Sequence, residues 1–302
     1  MLKLFLCFFT FLRVFVVILV SLSMIERAES QSGRSHFGEH KKMTSDQIDA
    51  LWDYNDPAAS YQKFVTALSS VPDSGDEIRT QICRALGLQR KFEEGRAQLA
   101  KISASPSPTV RVRVALETGR LENSSGHKEK ASPYFLKAYK LAKTHKFDFY
   151  AVDAAHMLGI VTNGTASLTW NEKAISIAEK SKDKRAQGWK GSLLNNTGWT
   201  YHDMGQFEKA LILFQKALVF HEESKNEQKT RIAKWTVGRC LRSLKRYDEA
   251  LAIQRGLEGG EEDGYVSEEL GELLLVIGHE DQAKPYFRKA FQKLSGYLAE
   301  GK

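Results

Sequence analysis

Asp153 and His156 stand three residues apart, a spacing that sets a carboxylate and an imidazole on one face of a helix. Such a pair can begin a metal site or pass a proton. His202-Asp203 and His279-Glu280 offer the same ingredients side by side. No second pair with matching spacing accompanies any of them. The chain also lacks an HExxH helix, a serine in a GxSxG elbow and a GxxxxGK[ST] phosphate loop. The expectation is a non-enzymatic protein without a cofactor, in which these groups form surface or groove hydrogen bonds. A metal-dependent enzyme or metal-binding protein using Asp153 and His156 is the alternative. Of three cysteines, Cys7 lies in an apolar N-terminal segment, which leaves Cys83 and Cys240 with no CxxC and no Cys/His spacing suited to zinc. Both are expected to pack as small apolar residues.

The elements that must position these groups are helices. The 302 residues are 42% apolar with only six prolines, and no run of alternating β-branched residues reads as a strand. The net charge of +7 is spread along the chain instead of gathered in a block, so nucleic acid is a disfavoured partner and weak nucleic-acid binding a minor alternative. Residues 4–24 are apolar except for Arg13 and a few hydroxyls. They read as a signal peptide or uncleaved signal anchor within 1–30, with Ala28 and Ser30 as small residues before a cleavage point at Gln31. Arg13 opposes insertion, by about 2.5–3.5 kcal/mol. The chain is thus expected in the secretory pathway, secreted or held to a membrane by that segment alone. A start at Met24 or Met43 would place it in the cytoplasm. Residues 31–45 read as a flexible linker, 46–296 as a helical-repeat domain and 297–302 as a tail.

The repeat shows in the spacing of small and aromatic residues. Gly198 precedes Ala210 by twelve residues, and Phe214 and Ala217 follow four and seven later. The frame recurs at Gly119, Ala131, Phe135 and Ala138 and at Gly271, Ala283, Phe287 and Ala290. It is weaker at Cys83, Gly95, Leu99 and Ile102 and partial at Gly238, Ala250, Gln254 and Leu257. Gly159 opens another copy, but Ala174 comes fifteen residues later, so "TNGTASLT" is expected to be an enlarged turn. Successive frames begin 36, 40, 39, 40 and 33 residues apart, the period of a solenoid. Each unit should be two antiparallel helices, the small residue of the first letting the alanine of the second come close while the aromatic fills the space beside them. Gly205 should take the left-handed conformation that ends the first helix.

These residues resemble the tetratricopeptide repeat, best in the copy carrying Leu194, Gly198, Tyr201, Gly205, Phe207, Ala210, Phe214 and Ala217. The long period is similar to repeats of the kinesin light chain type. The resemblance implies an all-α, right-handed α-solenoid of antiparallel helix pairs, about six repeats with end caps. It implies a scaffold or adaptor that binds a protein or peptide in a concave groove lined by the first helices. The groove candidates by position are Arg84, Arg113, Arg120, His156, Asn195, Trp199, His202, Trp235, Arg239 and Arg242. The two tryptophans supply contact area and the arginines could grip a carboxylate, so an acidic partner is expected. The tryptophans could equally be packing, and the arginines solvated. The Lys/Asn order of the family's carboxylate clamp does not occur in three consecutive units. Three Asn-x-Ser/Thr sequons occur, at Asn123, Asn163 and Asn195; Asn163 is the expected glycan acceptor, and Asn195, on the groove face, is expected to stay bare.

Overall fold

A computed structural model describes residues 42–102, 105–259 and 264–299, without the side chains of Pro72 and 296–299. The expected leader, nearly all of the linker and the close of the tail lie outside the described residues. Those residues form fifteen α-helices and one 3₁₀ turn, with no strand among them. No helix among them is long and apolar enough to cross a membrane. The chain divides into two compact units, the first ending at Trp189 and the second beginning at Lys190.

The first unit opens with a short helix, α1 (Ser45–Asp49), started by a capping box. There the Thr44 hydroxyl accepts from the Gln47 amide at 3.2 Å, and the Gln47 side chain accepts from the Thr44 amide at 2.9 Å. Helix α2 (Pro57–Ser70) starts at the Asp56-Pro57 break, with Asp56 accepting from the Ala59 amide at 2.8 Å. Three hairpins follow: α3 (Gly75–Leu88) with α4 (Phe92–Ala100), α5 (Pro108–Ser124) with α6 (Lys128–Thr144), and α7 (Asp148–Val161) with α8 (Gly164–Lys180). A single turn, α9 (Lys184–Gly188), closes the unit. Its core runs from Trp52, Phe64 and Ile82 to Leu116, Phe135 and Leu158.

The second unit has three more hairpins: α10 (Lys190–Asp203) with α11 (Phe207–Glu223), α12 (Glu227–Ser243) with α13 (Tyr247–Arg255), and α14 (Gly264–Val276) with α15 (Glu280–Ala299). Phe214, Leu241 and Leu273 lie in its core. Six hairpins after an opening pair match the expected repeat number. Cys83 and Cys240 are free and buried.

In the three full copies of the frame, the atoms nearest to the small residue belong to the aromatic ring. A Cβ at Gly119 would stand 2.5 Å from the Phe135 ring, at Gly198 2.5 Å from Phe214 and at Gly271 2.9 Å from Phe287. The glycine therefore admits the aromatic ring sixteen residues on, and the fully buried alanine at twelve packs beside them.

The enlarged turn after Gly159 is not there. Only Thr162 and Asn163 separate α7 from α8, and Gly164, at φ +55°, turns the chain straight into the next helix. The frame slips four residues early as a result. Buried Ser167, Asn171 and Ala174 stand where Ala210, Phe214 and Ala217 stand in α11. Ser167 donates to the Gly159 carbonyl at 2.7 Å, and Asn171, in place of an aromatic, covers Gly159.

Candidate functional sites

In the first unit, the inward residues of α3, α5 and α7 meet α1 and α9 around a cleft of about 90 Å³. Helical spacing delivers Gln81 and Arg84 from α3, Arg113, Glu117 and Arg120 from α5, and Phe149, Tyr150 and Asp153 from α7. Asp49, Tyr54, Arg185 and Trp189 complete the wall. Arg84, Arg113 and Arg120, chosen from sequence as groove residues, are thus brought together.

Most of their charge is already matched. Buried Arg113 bonds Asp49 at 2.8 Å and lies 3.1 Å from Glu77. Arg120 bonds both Glu117 and the two carboxylate oxygens of Asp153. Burial would favour the protonated acid, but Arg120 and then Arg84 hold Asp153 below the ordinary carboxylate range. Arg185 reaches Asp46 at 2.8 Å and Asp183 at 3.3 Å. Arg84 differs: its nearest carboxylate, Glu117, is 3.9 Å away, and its guanidinium rests on Tyr54 (5.5 Å) and Trp52 (5.8 Å).

Several buried polar atoms around this cleft have no hydrogen-bond partner: Arg84 Nε, Glu117 Oε2, Tyr150 Oη and Trp189 Nε1. His156 lies behind the wall, its ring 5.2 Å from that of Trp189 and its Nδ1 also unpartnered. Burial lowers its pKa to about 4, against the pull of Asp153, so it is neutral at physiological pH. The metal alternative gains nothing from this pair, since Arg120 occupies both Asp153 oxygens. Among the described residues, no group of three or more His, Cys, Asp or Glu side chains could hold a metal ion.

In the second unit the inward residues form an aromatic row. Trp199 and Trp235 lie 6.3 Å apart, Trp235 and Tyr265 6.2 Å, and Trp235 Nε1 donates to the Tyr265 carbonyl at 3.2 Å. Trp199 also rests on Phe214 at 5.1 Å, and both tryptophans are only partly exposed. Arg239 and Arg242, expected to be free for a ligand or solvated, both hold buried Glu269 at 2.8 Å. His202 pairs with Ser243 at 2.9 Å, and burial, with Arg239 and Arg242 adding, lowers its pKa to about 4. Asn195 is buried, its amide reaching Asn196 at 3.4 Å. Of the sequons, Asn163 is exposed and Asn195 is not.

Sequence reasoning missed Asp49, Glu77, Glu117, Tyr150, Arg185 and Trp189. Glu117 carried a signal, lying four residues after Arg113 and three before Arg120 on one helix face. Asp49 and Arg185 are 136 residues apart, and nothing local announces their meeting.

The hairpins define a helical-repeat protein. Residues 191–224 match the family model described as tetratricopeptide repeat. The chain has the fold of tetratricopeptide-repeat proteins. It is similar to a signal transduction ATPase with numerous domains and a tetratricopeptide repeat sensor from Pyrococcus horikoshii. That likeness has a TM-score of 0.64 and 14% identity, and covers 85% of this chain but 43% of the other, so this chain spans less than half of that protein. The apo form of RapI is similar at a TM-score of 0.64 and 12% identity, over 82% of this chain and 75% of RapI. NprR in complex with its cognate peptide NprX is similar at 0.52 and 14%, over 82% of this chain and 76% of NprR. At such identities the likeness establishes fold. A search of curated proteins found no match.

Proposed function

We propose that the protein is a non-catalytic scaffold that binds a peptide or protein segment on the inward helix faces. The observation that carries this is the first-unit cleft, where side chains of three hairpins converge and leave polar atoms buried without partners. Such atoms are costly in a free protein, by about 1–3 kcal/mol each, and a bound segment could satisfy them. The peptide held by the structurally similar NprR supports the same reading. In the second unit an acidic partner would have to compete with Glu269 for Arg239 and Arg242, so Trp199 and Trp235 supply most of its contact area. Selection of a displayed random-peptide library on the full chain tests the proposal. Selected peptides should bind with one-to-one stoichiometry and lose affinity in Trp189→Ala or Trp199→Ala. Failure to select any binder, or binders indifferent to both substitutions, would overturn it.

For the compartment, we propose secretory targeting by residues 4–24. Intact mass spectrometry of native protein should find a chain beginning at Gln31, or at Met1 if the segment anchors; a chain beginning at Met43 would refute it.

A further inference from the structure

Resting on that reading, the geometry points to a more specific occupant: we propose that the first-unit cleft takes a carboxamide side chain, Asn or Gln, from the bound segment. The size of the cleft comes first. At about 90 Å³ it is far below the roughly 300–1,000 Å³ of small-molecule and cofactor pockets, but it suits one polar side chain.

The unpartnered atoms then choose the chemistry. Arg113 Nε also lacks a hydrogen-bond partner but lies 3.1 Å from Glu77; of the others three are donors, on Arg84, Tyr150 and Trp189, and one is an acceptor, Glu117 Oε2. Glu117, Tyr150 and Trp189 are each at least nine-tenths buried. A carboxylate has no proton for Glu117, and it would enter a wall where Asp49, Glu117 and Asp153 already stand. Those three, with Glu77, Asp46 and Asp183, outnumber the four arginines they pair with, so the site does not call for another anion. An ammonium would satisfy Glu117 and leave three donors idle beside the Arg84 charge. A carboxamide brings both parts at once: its oxygen can accept from the donors, and its NH₂ can donate to Glu117.

The unpartnered atoms are out of water's reach, so a side chain must move to admit the group. Arg185 is the one placed to do so, with 37% of its side chain exposed and its guanidinium lying over Phe149 at 4.7 Å.

Blocked single amino acids test this on the ¹⁵N-labelled full chain. The probes are N-acetyl-glutamine methylamide, its glutamate and lysine counterparts, and N-acetyl-alanine methylamide. The readout is the Trp189 indole resonance, assigned by Trp189→Phe. The glutamine probe should produce a saturable shift that the others do not. Tyr150→Phe should weaken that binding by about three- to tenfold, as loss of one hydrogen bond does. The same substitution should keep or raise the melting temperature, because it deletes a hydroxyl that has no partner in the free protein. An equal or larger shift with the glutamate probe overturns the inference, as does the absence of a shift with the glutamine probe, or a Tyr150→Phe variant that binds unchanged. The scaffold reading is judged separately, by whether the peptide library yields binders at all.

Discussion

The two units put the same hairpin to different use on their inward faces. In the first, four arginines and their carboxylates weave α1, α3, α5, α7 and α9 together, yet indole, phenol, guanidinium and carboxylate atoms are left without partners. In the second, two arginines close on one glutamate, His202 on Ser243 and the Trp235 indole on a carbonyl. Matched polar groups rigidify a fold, whereas buried unmatched ones are a standing cost that some other interaction must relieve. Under the function proposed above, the contrast separates a face built chiefly to hold its helices from one that also receives a ligand group; the second unit's buried atoms without hydrogen-bond partners, His221 Nδ1 and Gln254 Oε1, sit on second helices.

The contrast breaks most severely at Arg113. Arg113→Ala would leave Asp49 and Glu77 facing each other with little water to screen them. Removing one partner of a buried ion pair costs about 3–5 kcal/mol. Urea unfolding followed by hydrogen exchange should show the first unit losing that much while amides of the second keep their protection. Equal loss in both units would mean that they do not unfold separately, and the comparison would fall.

Smaller and shared by both units is the effect of filling the glycine that faces the aromatic. Gly119→Ala and Gly198→Ala should each cost about 1–3 kcal/mol, as overpacking does, because Phe135 and Phe214 must give way. Gly159→Ala meets the Asn171 amide instead of a ring, and Asn171→Ala should rescue it.

Acid should act in the opposite sense to Arg113→Ala, harming the second unit more. Burial is the main cause lowering His156 in the first unit, and His202 and His221 in the second, to about 4. A histidine with its folded pKa below the unfolded value, about 6.5, takes up its proton more readily when unfolded. Its contribution is full above pH 6.5 and is lost as pH falls toward 4. Two such groups against one predict a larger loss of protection in the second unit across that window, offset in part by Glu268, whose pKa is raised by burial and then by Glu269 so that the folded state takes up its proton first. Asp153, depressed by Arg120, adds its loss only below the ordinary aspartate range of about 3.9. A greater loss in the first unit between pH 6.5 and 4 would contradict the assignment.

Much of the fold could be read in the sequence because it repeats. A frame of small and aromatic residues, complete in three copies and weaker in three more, reports local geometry, and each copy checks the others. The reading failed at Gly159, where a polar Asn171 replaces the aromatic marker and the frame slides unseen. For the site, the family resemblance named Arg84, Arg113 and Arg120 by position, and all three line one cleft. It could not say what they would meet, because Asp49 and Arg185 arrive from distant turns and Trp189 from a connector. Spacing finds faces; ion-pair partners across a stack are long-range facts.

The smallest effect concerns a feature that the units share. Gly126, Gly205 and Gly278 end first helices at positive φ, as Gly205 was expected to do. Four turns of the same form carry a basic residue at positive φ instead, Arg90 and Lys245 after first helices and Lys146 and Lys225 after second helices, at φ between 53° and 62°. Each turn closes with the same six-residue bond, such as the Phe147 amide to Ala142 at 2.9 Å and the Arg246 amide to Leu241 at 3.0 Å. A side chain at positive φ costs about 1–2 kcal/mol against glycine, while glycine's freedom when unfolded returns part of that, and a cation beside the helix's negative end returns a little more. Lys146→Gly and Lys245→Gly should therefore each stabilise the protein by about 0.5–1 kcal/mol, equally in the two units. Because these side chains are exposed, and neither lines the cleft nor joins the aromatic row, peptide affinity should not change. A loss of affinity with unchanged stability would move the binding surface to the turns and dissolve the distinction between the units.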